Sequence, residues 1–561
     1  MSEPDRPATR QVPAIGSPAD AAADPLWAEV AAFLGRAETH GLAAPPTRID
    51  THAAAVFLAG PLAYKIKRPV RFPYLDFSTP ARRAAACRRE IAVDRPIAPE
   101  IYRRVVAITR AADGGLAIGG AGEAVEWAVE MNRFDEAATL DRRLAAGPLD
   151  TALVDQLAVV VADAEARAPV GDWRRWRADL AVWVGQNADA FAARPDLFAP
   201  DAVATLTRAT LARLDDLAEL LDERGRLGFV RLGHGDLHAA NVAIVDERPL
   251  LFDAIEFDDR IATGDVLYDA GFLVMDLIRR GDRAAARRFL DRLLIETARR
   301  EARPPRGRPV AAALLAEMDG LAALPTFLSI RAALRAKIAV ATAASLVGEA
   351  RAAGEAAARR LFAAAESHLD PCPSMLVAIG GLSGSGKSTL ARALADDLGP
   401  APGAVVLRSD EIRKLLAGVE DRTALDPAGY TATASDRVYD VLTAAAGRAL
   451  AAGRSVIVDA VHLRPRERDH LAVLARGAEV PFLGLWLDVD PPIAADRVGL
   501  RSGDASDASP AVVAWQAAVD PGRLDWQRLD ANGDATALVA AARRRLAAVV
   551  PSRSDSAPPR P

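Results

Sequence analysis

At 561 residues and a formal net charge of −5, the chain can build more than one core and lacks the basic excess of a nucleic-acid binder. Its two cysteines, Cys87 and Cys372, lie far apart and fit no disulfide or metal-binding spacing, which suits a reducing, cytoplasmic location. No signal-peptide core opens the chain, and Asp276, Arg279, Arg331 and Arg335 interrupt the best apolar runs, so no membrane partner is expected.

Residues 1–24 are rich in Pro, Ala and Asp without apolar periodicity and are expected to form a disordered lead-in. Trp27, Val30, Phe33 and Leu34 mark a first helix ending near Gly41. From Arg48 to Val70 the pattern turns to strands. Val56-Phe-Leu-Ala59, the turn Gly60-Pro61 and Leu62-Ala-Tyr-Lys-Ile-Lys67 read as a hairpin. Lys65 and Lys67 share one face of its second strand, because strand side chains alternate. Residues 80–95 read as a helix carrying Glu90. Ile101 to Ile108, Leu116 to Ile118 and Glu126 to Met131 read as strands, and Asp150 to about Glu223 as helices. After His234-Gly-Asp-Leu-His-Ala-Ala-Asn241 come the strand Val242 to Val245, a turn at Asp246 to Pro249, and Leu250 to Phe252 leading into Asp253. Residues 265–300 and 308–368 are again helical, the second stretch interrupted by Pro325 and by Gly348 or Gly354. Pro371 and Pro373 mark a boundary. Beyond it strands and helices alternate, with strands at Ala404 to Leu407, Ser455 to Val458, Val480 to Leu487 and Arg523 to Leu529, which predicts a parallel sheet covered by helices. Residues 551–561 are a Ser/Pro tail expected to be disordered.

The most specific motif is Gly381-Leu382-Ser383-Gly384-Ser385-Gly386-Lys387-Ser388-Thr389, a G-x-x-x-x-G-K-[ST] loop between an apolar strand and an apolar-periodic helix. Glycines let backbone N–H groups wrap phosphates, and the following helix N-terminus adds partial positive charge. The loop is therefore a candidate ATP site, with Lys387 reaching the β- and γ-phosphates and the Ser388 hydroxyl ligating Mg²⁺. Asp459 ends an apolar strand and is a candidate Mg²⁺ partner through water, or a cap for the next helix. Asp410 also follows a strand; it can orient or deprotonate an attacking hydroxyl, or cap a helix, and Arg413 can hold an anionic part of the acceptor. Arg497 and Arg501, a turn apart and followed by the polar stretch Ser502 to Asp507, suit a lid that neutralises a transferring phosphoryl group. These features resemble the small P-loop kinases, the gluconate-kinase-like, zeta-toxin-like and polynucleotide-kinase-like proteins, over roughly Leu376 to Val550. One short α/β unit holds them all, which disfavours an AAA-type motor with a downstream sensor domain.

In the N-terminal half, His234-Gly-Asp236-Leu-His-Ala-Ala-Asn241 is H-x-D-x-x-x-x-N. This spacing places the Asp236 carboxylate to accept a hydroxyl proton, and Asn241 and Asp253 to ligate Mg²⁺. Two turns capped by Asp and Asn would show the same residues. This half resembles the aminoglycoside-phosphotransferase-like kinases over about Arg48 to Ile295. The resemblance implies Asp236 as catalytic base and Lys65 or Lys67, with Lys65 favoured, pairing with nucleotide phosphates and with Glu90. It also implies Glu126 to Met131 as the hinge beside adenine and a structural Asp269. No G-x-G-x-x-G loop is present, since Thr51 to Gly60 contains one glycine.

As a whole the chain is similar to the two-part bifunctional aminoglycoside phosphotransferase / ATP-binding proteins. That likeness implies a two-lobed protein-kinase-like fold followed by a P-loop parallel sheet, so α+β and α/β parts in one chain. The expected division is a kinase domain over 25–300, a helical extension over 301–372 and a P-loop kinase domain over 373–550. The expected activity is transfer of the γ-phosphoryl group of ATP, with Mg²⁺, to hydroxyls of small polar metabolites. A nucleotide-binding regulatory protein with one non-catalytic module is the first alternative. A 5′-hydroxyl nucleic-acid kinase is the second, for which Arg464, Arg466 and Arg468 supply only a short basic groove.

Overall fold

The computed structural model describes residues 24–51, 53–72, 75–500 and 505–549. Residues 1–23 of the expected lead-in, the tail 551–561 and Arg501 lie outside the described residues. Asp24, assigned above to the lead-in, instead caps a helix: its carboxylate accepts the Trp27 N–H at 3.1 Å and starts Pro25–Leu34. By contacts the chain forms two compact units. One comprises residues up to Arg143 with Leu232–Thr263, the other Leu144–Arg231 with everything from Gly264 onward.

The first unit is built on a six-stranded antiparallel sheet in the order Thr47–Asp50, Ala54–Ala59, Leu62–Lys67, Glu123–Asn132, Tyr102–Arg110, Leu116–Ile118. The hairpin pairs Ala59 with Leu62, so Gly60 and Pro61 make the turn, and Gly60 takes the left-handed φ of 62° that glycine adopts without a Cβ clash. Strand alternation then separates two faces. Tyr64 and Ile66 join Trp27, Val30 and Leu34 of the first helix in one core, whereas Lys65 and Lys67 face the helix Pro80–Asp94 and meet its Glu90. The hairpin Val242–Val245/Arg248–Leu251 turns at Asp246 and Glu247, both with positive φ (50° and 57°), the twist a two-residue hairpin needs. Pro249, expected in the turn, belongs to the second strand.

In the second unit, the stretch 308–368 is three helices, Val310–Gly320, Leu324–Ala344 and Gly348–Ser367. Pro325 falls in the first turn of the middle one, where its missing N–H costs no hydrogen bond, and Gly354 is tolerated within the third. The rings of Trp176, Tyr268 and Phe327 meet edge to face beneath them. Among the described residues no single helix is long and apolar enough to cross a membrane.

The C-terminal sheet of this unit has five parallel strands, ordered Val405–Arg408, Val456–Asp459, Leu376–Gly381, Phe482–Asp488, Gln527–Asp530. Its central strand is buried throughout, as a sheet covered on both faces requires. The register aligns Ile379, Arg408 and Asp459 at the carboxyl ends of three adjacent strands. The last strand, Gln527–Asp530, is shorter than expected, and in the stretch before it the carbonyls of Pro521 and Arg523 accept from the Arg468 guanidinium at 2.6 and 2.9 Å.

Candidate active sites

In the C-terminal site the strand Leu376–Gly381 runs into the helix Lys387–Ala395 through glycines with positive φ. At Gly384 (φ 82°) a Cβ would fall 2.3 Å from the Ala494 carbonyl oxygen, so the loop can pass there only as glycine. The Lys387 amine donates to the carbonyls of Gly381 (3.0 Å) and Leu382 (2.8 Å), folding over the loop it belongs to. The Ser388 hydroxyl donates to Asp459 Oδ2 at 2.5 Å, and Arg408 Nε reaches the same oxygen at 3.2 Å. Loop residues, Lys387, Ser388, Asp410, Asp459 and Arg497 line one cavity of about 240 Å³. Asp459 thus stands beside the phosphate-loop hydroxyl at a strand end. Asp410 enters the same cavity from the first turn of the helix Ser409–Leu416.

Arg497 lines the cavity too, on the helix Pro491–Gly499. Its guanidinium, however, donates to the carbonyls of Ala531 (2.7 Å), Asn532 (3.1 Å) and Gly533 (3.2 Å). It anchors that loop in this structure, and its expected role on a phosphoryl group needs those bonds to be exchanged. Arg413 donates to the Gly429 carbonyl at 2.8 Å and stacks over Tyr430.

Two residues here carry no motif. The Gln516 amide clamps the loop from another helix, its oxygen accepting the Ser383 N–H at 2.8 Å and its nitrogen donating to Ser383 Oγ at 3.1 Å. His462, three residues beyond Asp459, is fully buried with φ 53°. Burial, and then the nearby Lys387 and Arg468 cations, push its pKa down to about 3. The sign of the linkage follows. An unfolded histidine binds its proton near pH 6.5, whereas the folded ring stays neutral until about pH 3. Stability contributed by His462 is therefore present above pH 6.5 and lost as the pH falls toward 3. A His462→Gln variant is expected to lose stability less steeply than the parent between pH 6.5 and 4, by up to about 1.4 kcal/mol per pH unit, measured by urea unfolding across that range.

In the first unit, Lys65 Nζ contacts Glu90 Oε1 at 2.9 Å and also pairs with Asp253. Lys67 Nζ contacts Glu90 Oε2 at 2.6 Å and also pairs with Glu256. The glutamate expected to serve one lysine therefore serves both. It is Lys65 that reaches the candidate metal ligand, while Lys67 is buried against Glu256. Burial works against the charge of Glu90, but the two ammonium groups hold its carboxyl below the usual range. Removing it leaves two cations short of a partner in a buried site, so Glu90→Ala is expected to destabilise the unit by about 3–5 kcal/mol, read from denaturant midpoints.

The loop after Gly233 is held by His234. Its Nε2 lies 3.0 Å from the Phe252 carbonyl and its Nδ1 accepts the Asp236 N–H at 3.4 Å, a pair of roles that fits a neutral ring protonated on Nε2. Asn241 Nδ2 donates to the Asp236 carbonyl (3.0 Å) and to Asp236 Oδ2 (3.3 Å), which leaves Asn241 Oδ1 for a cation. The Asn241 carbonyl accepts the Phe252 N–H at 3.1 Å, bringing Asp253 to the same end of the hairpin. Asp253 has φ 61°, with its N–H donating to the Tyr102 hydroxyl at 3.0 Å. Desolvation opposes the charge of this partly exposed carboxylate, yet Lys65 beside it holds its carboxyl below the ordinary value. Glu126, at the start of the strand stretch expected to lie beside adenine, sits in the strand Glu123–Asn132, buried in an ion pair with Arg83 at 2.6 Å.

Both sites offer hard oxygen donors of the kind Mg²⁺ takes: Ser388 and Asp459 in one, Asn241 and Asp253 in the other. Among the described residues no group of three or more His, Cys, Asp or Glu could hold a metal unaided. Two protein ligands suit an ion that fills its remaining positions with phosphate and water.

Over 503 residues the chain is 30% identical to uncharacterized protein Rv2004c of Mycobacterium tuberculosis (strain ATCC 25618 / H37Rv), covering 86% of this chain and 92% of that one. The chain belongs to that protein's family. Mb2027c of Mycobacterium bovis, of the same family, matches at the same identity and coverage. Residues 376–520 match the family model described as AAA domain. Among solved structures, a gluconokinase from Sinorhizobium meliloti 1021 is similar at 24% identity over 31% of this chain and 94% of that one, with a TM-score of 0.22. A choline kinase from Cryptosporidium parvum Iowa II is similar at 11% identity over 62% and 94%, with a TM-score of 0.36.

Proposed function

We propose that the chain carries two ATP–Mg²⁺-dependent phosphotransferase modules, each passing a γ-phosphoryl group to a hydroxyl of a small polar metabolite. The chain is an ATP-dependent kinase. The modules span residues 25–300 and 373–550, joined by the helices between them. The observation that carries this reading is a recurrence: each site combines a lysine, two oxygen donors fit for Mg²⁺, and a further carboxylate able to take a proton. In the first module Lys65, fixed by Glu90, holds phosphate, Asn241 and Asp253 hold the metal, and Asp236 accepts the proton of the acceptor hydroxyl. In the second, Gly381 to Thr389 cradle the phosphates, Lys387 neutralises the group being transferred, Ser388 and Asp459 hold the metal, and Asp410 takes the proton. Mg²⁺, when bound, supplies charge neutralisation on the phosphate oxygens.

The test uses γ-labelled ATP with a small-metabolite extract. Asp236→Asn and Lys387→Ala are each expected to abolish a different subset of labelled products. Loss of no product in either variant would overturn the enzymatic reading. Loss of one common set would leave a single route through both sites in place of two independent reactions.

A further inference from the structure

The helix Arg283–Glu301 is rich in arginine yet almost wholly buried. Buried arginines need partners, and theirs lie on two sides. On one side Arg288 forms a fork with Asp155 of the helix Thr151–Arg167, at 2.6 and 2.8 Å, and Arg300 reaches Asp163 of the same helix at 2.9 Å. On the other side the helix grips the phosphate-loop sheet. Asp291 accepts the Val406 N–H at 3.3 Å, Arg287 Nε donates to Asp396 at 2.7 Å, and Arg299 reaches Asp421 at 2.9 Å.

One of these contacts leads into the metal site. Arg288 NH1 lies 3.8 Å from Glu411 Oε1, and Arg408 NH1 donates to that same oxygen at 3.0 Å. Arg408 Nε reaches Asp459 Oδ2 at 3.2 Å, the oxygen that accepts the Ser388 hydroxyl. Arg408, Glu411 and Asp459 are all buried, so solvent screens these contacts little. Arg408 bridges Glu411 and Asp459, and Glu411 feels the cations of Arg408, Arg288 and Arg292. If Arg288 is removed, Glu411 loses one of these cations and draws Arg408 more strongly away from Asp459.

We propose that Arg408 is a positioning residue for the Mg²⁺-bearing Asp459, and that Arg288, outside the phosphate-loop sheet, sets Arg408 through Glu411. The P-loop site is then completed by a helix that also packs on the helical core of the N-terminal half. This rests on the reading of Asp459 as a metal partner. Partners that orient a metal-binding carboxylate typically change metal affinity about 10–100-fold when removed.

The experiment is a Mg²⁺ titration of the full chain binding a fluorescent ATP analogue, in an Asp236→Asn, Lys65→Met background so that only the C-terminal site reports. Thermal unfolding checks that each variant folds. Arg408→Met is expected to raise the half-saturating Mg²⁺ concentration about 10-fold or more. Arg288→Met is expected to raise it severalfold, and Arg288→Lys, which keeps a cation beside Glu411, to recover most of that shift. Affinity for the analogue without Mg²⁺ is expected to stay within about twofold, a split that general loosening of the fold would not give. If Asp459→Asn leaves the Mg²⁺ dependence unchanged, the metal reading itself fails. If Asp459→Asn shifts it and folded Arg288→Met does not, the relay is wrong and the metal reading stands. If Arg288→Met does not fold, Asp155→Asn at the outer end of the chain of contacts takes its place: a severalfold shift supports the relay, and no shift overturns it.

Discussion

Lys387→Ala is expected to lower label transfer to the products of the C-terminal site by about 10²–10³-fold, the usual cost of deleting one preorganised donor from a site of developing negative charge. The ammonium is held near the loop by two carbonyls, those of Gly381 and Leu382. Those bonds are modest and can be exchanged for phosphate oxygens when nucleotide is present. In the alanine variant the helix N-terminus and loop amides remain, so nucleotide binding weakens less than transfer does. Products made at the N-terminal site should be unchanged. A variant that retained transfer within about threefold would place the ammonium away from the phosphates, as a prop for its own loop.

Asp236→Asn is expected to lower transfer at the N-terminal site by about 10²–10⁴-fold, the range for loss of a general base. The substitution keeps shape and hydrogen-bonding capacity, so the contacts from Asn241 to the backbone and side chain of residue 236 can persist. KM for ATP should therefore change little, because phosphate is held by Lys65 and metal by Asn241 and Asp253. A comparable fall in ATP affinity would show instead that Asp236 binds the metal.

The two motifs were legible because each is local. Nine consecutive residues, Gly381 to Thr389, encode a turn, a cradle and a helix start without help from elsewhere. The eight residues His234 to Asn241 likewise close on themselves, the side chain of Asn241 returning to Asp236. Period-two alternation was enough to put Lys65 and Lys67 on one face. The parallel C-terminal sheet was legible as well, since its strands are continuous apolar runs between helical patterns.

Partner choice between distant segments was not legible. Lys67 meets Glu256 across 189 residues and Ser383 meets Gln516 across 133. No spacing rule reaches that far, because such pairs are set by strand order and by which helix face a core buries. The same cause hid the double duty of Glu90, the engagement of Arg497 with the 531–533 carbonyls, and the link from Arg288 to Asp459. An arginine in a chain this rich in arginine carries no signal of its own, and only burial, which removes water as the alternative partner, shows which of them must be paired. Local chemistry was therefore written along the chain, whereas the surroundings that hold each charged group were decided only when packing excluded solvent from them.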